Sequence, residues 1–325
     1  MSGVFRRPYQ HTALLSGSVS ESAARIRPRA PKQVARAVPL FPMENKCPHV
    51  DSLAFVVPLA VACVLVVSSS ASQWAKPASY GKFHGADASE TAKWEKCGSI
   101  NQRLGHMLSD AGPPLCGFAA CYFALWTTGG PERTELSVPA ASVTLFALWL
   151  LHYVHRGVLH PLLMHYRNHS VPLLITLAGL FPNSLFAWLN ASAIACLEPA
   201  VSQTWHTDPR FGAGVALYAA GFAINRASDW HLRSLRNKEC LLPHSQTGYR
   251  IPYSGLFAYV SCANYFGELL QWAGWALACW SYAALLWWLF ALSTFVPRAR
   301  ATHVWYRTTF PDYPKQRKAL IPFIW

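Results

Sequence analysis

Six stretches of this chain contain no Asp, Glu, Lys or Arg: Ser52–Ala75, Ala111–Pro131, Leu136–His155, Asn168–Leu197, Phe211–Asn225 and Leu269–Pro297. Ile251–Gly267 is also free, and Glu268 alone separates it from the last of them. A membrane helix needs about 20 mostly apolar residues, and most of these gaps are near that length. They are too apolar all round for half-exposed helices. The pattern predicts seven spans, near 53–70, 111–128, 136–155, 171–191, 209–225, 255–276 and 279–297. Gly274 and Cys279–Ser281 are the expected turn between the last two.

The sparse charges test this layout. The chain is 52% hydrophobic and only 13% charged, yet its formal charge is +13. That hydrophobicity excludes a disordered chain, and charge this thin argues against a nucleic-acid surface. Lys and Arg concentrate in cytoplasmic loops. The segments 76–110 and 226–250, the loop with Arg156 and Arg167, and the tail from Arg298 hold 18 basic residues. The alternate loops hold only Arg133 and Arg210. The split fits an odd number of spans, with a cytosolic C-terminus. Residues 1–42 break it, with seven basic residues and only Glu21 acidic. They read as a targeting leader or as sequence ahead of a true start at Met43.

Nine cysteines include no CxxC or zinc-like grouping, so neither a structural disulfide nor a metal site is expected. Gly212, Gly214 and Gly221 fit close helix packing better than a dinucleotide loop. The glycosylation triplets at Asn168 and Asn190 fall on the cytosolic side and within a span, where neither is used.

Ionisable groups at membrane depth usually mark function. His152-Tyr153-Val154-His155-Arg156 closes the third span. Asn225, Asp229, Arg233 and Arg236 form a helical stripe, with arginines suited to phosphates and a carboxylate suited to ribose or amide groups. Asn264 and Glu268 are four apart on one helix face. The tail, Arg298–Trp325, pairs basic residues with Tyr-Pro-Lys and Ile-Pro-Phe, and reads as a folded cap.

Those pieces, in order, resemble the steroid 5α-reductase (3-oxo-5α-steroid 4-dehydrogenase) family. The matching residues are Leu151–Arg156, Asn225-x3-Asp229-x3-Arg233-x2-Arg236, Thr247–Pro252, Gly255–Glu268, Trp305-Tyr306 and Tyr313–Phe323. The resemblance covers about 145–325, with the family's C-terminal region at about 171–325. It implies an all-α membrane fold of about seven helices over 43–325, enclosing a cofactor and substrate cavity. It further implies NADPH-dependent reduction of a C=C bond conjugated to a ketone, most simply the 4-ene of a 3-oxo-steroid or sterol. The catalytic residues it implies are Tyr153 and Asp110. Asp110 stands where the family has a Glu, one methylene longer. The cofactor residues it implies are Asn225, Asp229, Arg236, Tyr249, Asn264, Glu268, His303 and Tyr306, with Arg156, Arg167 and Arg298 as further contacts. Its expected setting is the endoplasmic reticulum, with a lipid substrate, no nucleic acid and no inferable protein partner. Polyprenal or trans-2-enoyl-CoA reduction, an isoprenylcysteine-type methyltransferase and a non-catalytic membrane scaffold remain as rivals.

Overall fold

The computed structural model describes residues 52–76, 83, 98–128, 138–166, 170–197, 199–236 and 249–325. Residues 1–42, Arg133, Arg167 and Asn168 lie outside them. Among the described residues the chain is mostly helical. The helices are α1 (Leu53–Ala75), α2 (Gln102–Ala111), α3 (Phe118–Thr128), α4 (Ala140–Tyr153), α5 (His160–Leu163), α6 (Leu173–Cys196), α7 (Pro209–Ser234), α8 (Ala263–Cys279) and α9 (Tyr282–Thr309). A π-helical segment, Gly112–Gly117, joins α2 to α3, and another, Val154–Leu159, joins α4 to α5. Counted as continuous rods, these elements fall at the seven expected positions. Two of them, α1 and α6, are long and apolar enough to cross a membrane.

Local chemistry sets the joints. Pro113 and Pro114 bring no N–H into the helical ladder, and the rod widens there. Pro161 sets its ring against the carbonyl four residues back, in the second widened segment. Asn101 caps α2 by accepting from the N–H groups of Arg103 and Leu104 at 3.0 and 3.3 Å. Asp208 caps α7, with Pro209 at its first position. A short antiparallel pair, Ser99–Asn101 with Ser170–Pro172, brings the starts of α2 and α6 together.

Several expected boundaries move: the rod of α2 and α3 starts at Gln102, α7 runs on to Ser234 and α9 to Thr309. The sixth span does not begin at 255: Gly255–Ala258 is a 3-10 turn, and α8 starts only at Ala263. The turn before α9 falls within the expected Cys279–Ser281 stretch, with Trp280 in the left-handed region at φ 47° and Ser281 capping the next helix. Gly274 is not part of that turn. It sits inside α8, where a Cβ would strike the Tyr218 backbone of α7. Gly221 of α7 likewise meets the backbone of Gln271. Small residues thus let these two helices touch backbone to backbone, as expected for Gly214 and Gly221, whereas Gly212 has open space around it.

The core behind the site is aromatic. Trp149 stacks on Phe118 at 4.6 Å and lies 5.1 Å from Trp275 and 6.0 Å from Trp287. Its indole N–H donates to the Pro114 carbonyl at 2.6 Å. Trp275 donates to Asn190 at 2.9 Å. Asn190 is fully buried, so its glycosylation triplet is a packing element. One expectation is overturned: Cys196, closing α6, is disulfide-bonded. Its partner lies outside the described residues.

Candidate functional site

Polar side chains that belong to different helices converge at one end of the rods, the end that carries the basic loops. Ends of α2, α4 and α7 and the beginning of α8 supply them. Asp110 closes α2, and its carboxylate lies 3.4 Å from Nε of Arg156 in the π segment after α4. Tyr153, the last residue of α4, is buried. Asp110, Tyr153, Arg156, His152 and Glu268 line one cavity of about 680 Å³. Trp272 packs 4.6 Å from the His152 ring, Ile175, Trp287 and Phe290 add apolar surface to the lining, and Ser69, Gln73 and Asn183 add polar groups.

Behind the cavity the α7–α8 contact carries a hydrogen-bond network. Asn225 donates to the Asn264 carbonyl at 2.8 Å and to the Glu268 carboxylate at 3.3 Å. Asn264 in turn donates to Asp229 at 3.4 Å. His152 bonds Gln271 at 2.9 Å through Nδ1, and its Nε2 lies 3.9 Å from Glu268. The close backbones of α7 and α8 make this possible, because short Asn side chains span the gap directly. Asp229 is also approached by Arg226 at 3.9 Å and by His160 at 3.7 Å. Burial, reinforced by Arg156, holds His160 down to about 4, well below an ordinary histidine. It is therefore neutral at physiological pH. Burial likewise pushes Tyr166, nearby on the loop side, up to about 12.

The network leaves capacity unused. Among the described residues, Nε and Nη1 of Arg226, Nε of Arg233 and Oδ2 of Asp229 are buried without a hydrogen-bond partner. Buried polar groups are otherwise almost always paired. Guanidinium donors beside a carboxylate suit a ligand with phosphates and sugar hydroxyls.

The structure brings together most of the residues singled out from the sequence. Asp110, Tyr153, Arg156 and Glu268 share the cavity, and Asn225, Asp229 and Asn264 share the network. Arg298 is buried against Tyr265, its Nε donating to the hydroxyl at 3.2 Å. Tyr249 packs edge-on against Trp305, and Tyr306 stacks on Tyr313 at 5.2 Å. Arg236 ends the α7 turn, half-buried. Arg167 lies outside the described residues. His303 is placed differently from the rest. Its Nδ1 bonds Ser261 Oγ at 2.6 Å, and the same hydroxyl meets Tyr313 at 2.6 Å. It pins the tail to the start of α8. His160, Gln271 and Arg226 join the site without having been singled out. The available signal was spacing, since Gln271 is three residues after Glu268 on one face of α8.

Comparison with known proteins identifies the family. The 3-oxo-5-alpha-steroid 4-dehydrogenase family profile matches residues 169–325. 3-Oxo-5-alpha-steroid 4-dehydrogenase 1 of Bos taurus is 35% identical over 279 residues, covering 84% of this chain and 96% of that protein. The chain belongs to the steroid 5α-reductase family. The Rattus norvegicus 3-oxo-5-alpha-steroid 4-dehydrogenase 1 is 43% identical over 180 residues, 55% of this chain and 66% of that protein. The alignment with this rat relative thus spans just under two thirds of its length. A steroid 5-alpha-reductase of Solanum lycopersicum is 35% identical over 184 residues, 56% of this chain and 68% of that protein. Membership makes the chain one of an oxidoreductase family, and the two long apolar helices accord with a membrane-bound one.

Proposed function

We propose that this protein reduces the C=C bond of an α,β-unsaturated ketone in a lipid, most directly the 4-ene of a 3-oxo-steroid, using NADPH. The observation that carries this reading is the cavity itself. A phenol, a carboxylate and a guanidinium line it together with Ile175, Trp287 and Phe290, whose apolar surface suits a fused-ring hydrocarbon. NADPH, when bound, would supply the hydride for the β-carbon, and a solvent-derived proton added at the α-carbon would complete the saturated ketone. Tyr153 hydrogen-bonds the ketone oxygen and stabilises the charge that develops there. Asp110 and Arg156 hold the polar end in place. Asn225, Asn264, Glu268 and Asp229 hold the carboxamide and sugar, and the unpartnered donors of Arg226 and Arg233 face phosphate. Arg236, Arg298, Tyr249 and Tyr306 complete the surround.

The same reading assigns the apolar part of each of the seven rods to the membrane, with residues 43–325 as the catalytic unit. The basic loops and the tail are cytosolic, where NADPH is available, and the membrane is that of the endoplasmic reticulum. The Cys196 disulfide supports this orientation, because it marks the opposite end of α6 and disulfides persist on the oxidising side. The steroid enters from the bilayer.

The test is NADPH oxidation by detergent-purified protein over 4-ene-3-one steroids, polyprenals and trans-2-enoyl-CoA. Turnover of the steroid enones above the other two is expected, and Tyr153→Phe should lower it at least about 100-fold. Absence of turnover on every 4-ene-3-one would sink the assignment.

A further inference from the structure

The rod formed by α4 and its π segment passes the end of α2 at a point where only a hydrogen atom fits. Gly157 is buried there. A Cβ on it would lie 2.7 Å from the carbonyl carbon of Asp110, 2.7 Å from the Ala111 nitrogen and 2.8 Å from the Ala111 Cα. Ordinary contact between such atoms is about 3.5–4.0 Å. The backbone carrying Asp110 therefore sits about 1 Å closer to the α4 rod than any side chain at 157 would permit. Arg156, the neighbour of Gly157, meets the Asp110 carboxylate at 3.4 Å. Tyr153 lies one turn back on the same rod, and all three side chains line the cavity. Aspartate is the shorter carboxylate, so its reach to that polar end depends on how near its own backbone comes.

We propose that Gly157 is a positioning residue for Asp110: the missing Cβ brings the short carboxylate into register with Arg156 and Tyr153. The proposal rests on reading the cavity as a reductase site. Gly157→Ala moves the Asp110 backbone away by about 1 Å, a misplacement that costs on the order of 100-fold in rate. Asp110→Glu adds one C–C bond of about 1.5 Å and is too long while Gly157 remains. Combined, the two changes compensate.

The experiment is a double-variant cycle on purified full-length protein. Gly157→Ala should lower kcat about 100-fold with the KM for NADPH little changed. Asp110→Glu alone should also lower kcat, and Asp110→Glu with Gly157→Ala should recover at least about tenfold over Gly157→Ala. A purely structural glycine gives no such rescue, and a double variant no better than Gly157→Ala overturns the proposal. So does Asp110→Glu alone at or above the native rate, which decides the matter even where Gly157→Ala does not fold. Cryo-EM of the native protein and the double variant gives a readout independent of turnover. The carboxylate should meet Arg156 equally in both, and a broken pair in the double variant overturns the proposal. If no enone is turned over by the native protein, the reductase reading fails and this distance alone decides the positioning.

Discussion

The two ends of the helical rods use buried polarity in opposite ways. Toward the disulfide-bonded end the buried polar groups are neutral and mostly paired, with the Ser192 hydroxyl left over. Trp275 donates to Asn190, Trp205 donates to the Ala278 carbonyl at 2.8 Å, and Ser142 donates to the Ile194 carbonyl at 2.6 Å. At the other end Asp110, Arg156, Asp229, Arg226 and Glu268 bring formal charge inside, and donors on Arg226 and Arg233 are left over. Neutral pairs cost little to desolvate and fix the packing. Charged groups cost more, and leftover capacity is useful only where a ligand completes it. The difference teaches which end is scaffold and which is site, although the same helices build both.

Substitutions can break that division. Glu268→Ala removes the acceptor for Asn225 and the carboxylate facing His152. It should weaken NADPH binding about 100-fold, the scale expected when one partner of a buried charged network is lost. Calorimetric titration checks it, and unchanged affinity would remove Glu268 from the cofactor surround. Asn190→Ala acts at the other end. It strands the Trp275 N–H and should cost about 1–3 kcal/mol of stability, with NADPH affinity unchanged. A shift in affinity equal to that of Glu268→Ala would erase the distinction between the ends.

The smallest effect concerns pH. His160, beyond the apolar part of its rod, is held down to about 4 in the folded protein, against about 6.5 when unfolded. Between those values the unfolded chain binds a proton that the folded chain refuses. Its stabilising contribution is therefore complete above about pH 6.5 and is lost as pH falls towards 4. About 1 kcal/mol should be gone at pH 5.5, and His160→Asn should flatten that slope in thermal unfolding. An unchanged slope would show that His160 titrates normally.

Much of this was legible in the sequence because desolvation is so costly. Apolar stretches of a buried helix must keep charge out, so the gaps between charged residues marked the apolar part of the rods, while α2 and the last turns of α7 and α9 lie beyond them. Charges inside or beside the gaps then pointed to the site, and Asn225, Asp229, Asn264 and Glu268 do meet. The rest depended on three-dimensional proximity. Cysteine spacing carries no sign of a long-range disulfide, and Cys196 was read as a filler. His303 is polar and near the tail, but only the folded chain shows it bonded to Ser261. Gly157 looks like any helix glycine until Asp110 is seen behind it.

The π segments have a consequence for how the chain tolerates change. Each accommodates an extra residue, which turns everything beyond it by about 100°. The rod holding α2 and α3 is therefore two helices of different phase, one aiming Asp110 at the cavity and the other burying Phe118 beside Trp149. Deleting one residue within Gly112–Gly117 would straighten the rod and rotate one face against the other. Substitutions on either face act within that face alone, so each half of the rod is free to vary on its own while the joint between them is not.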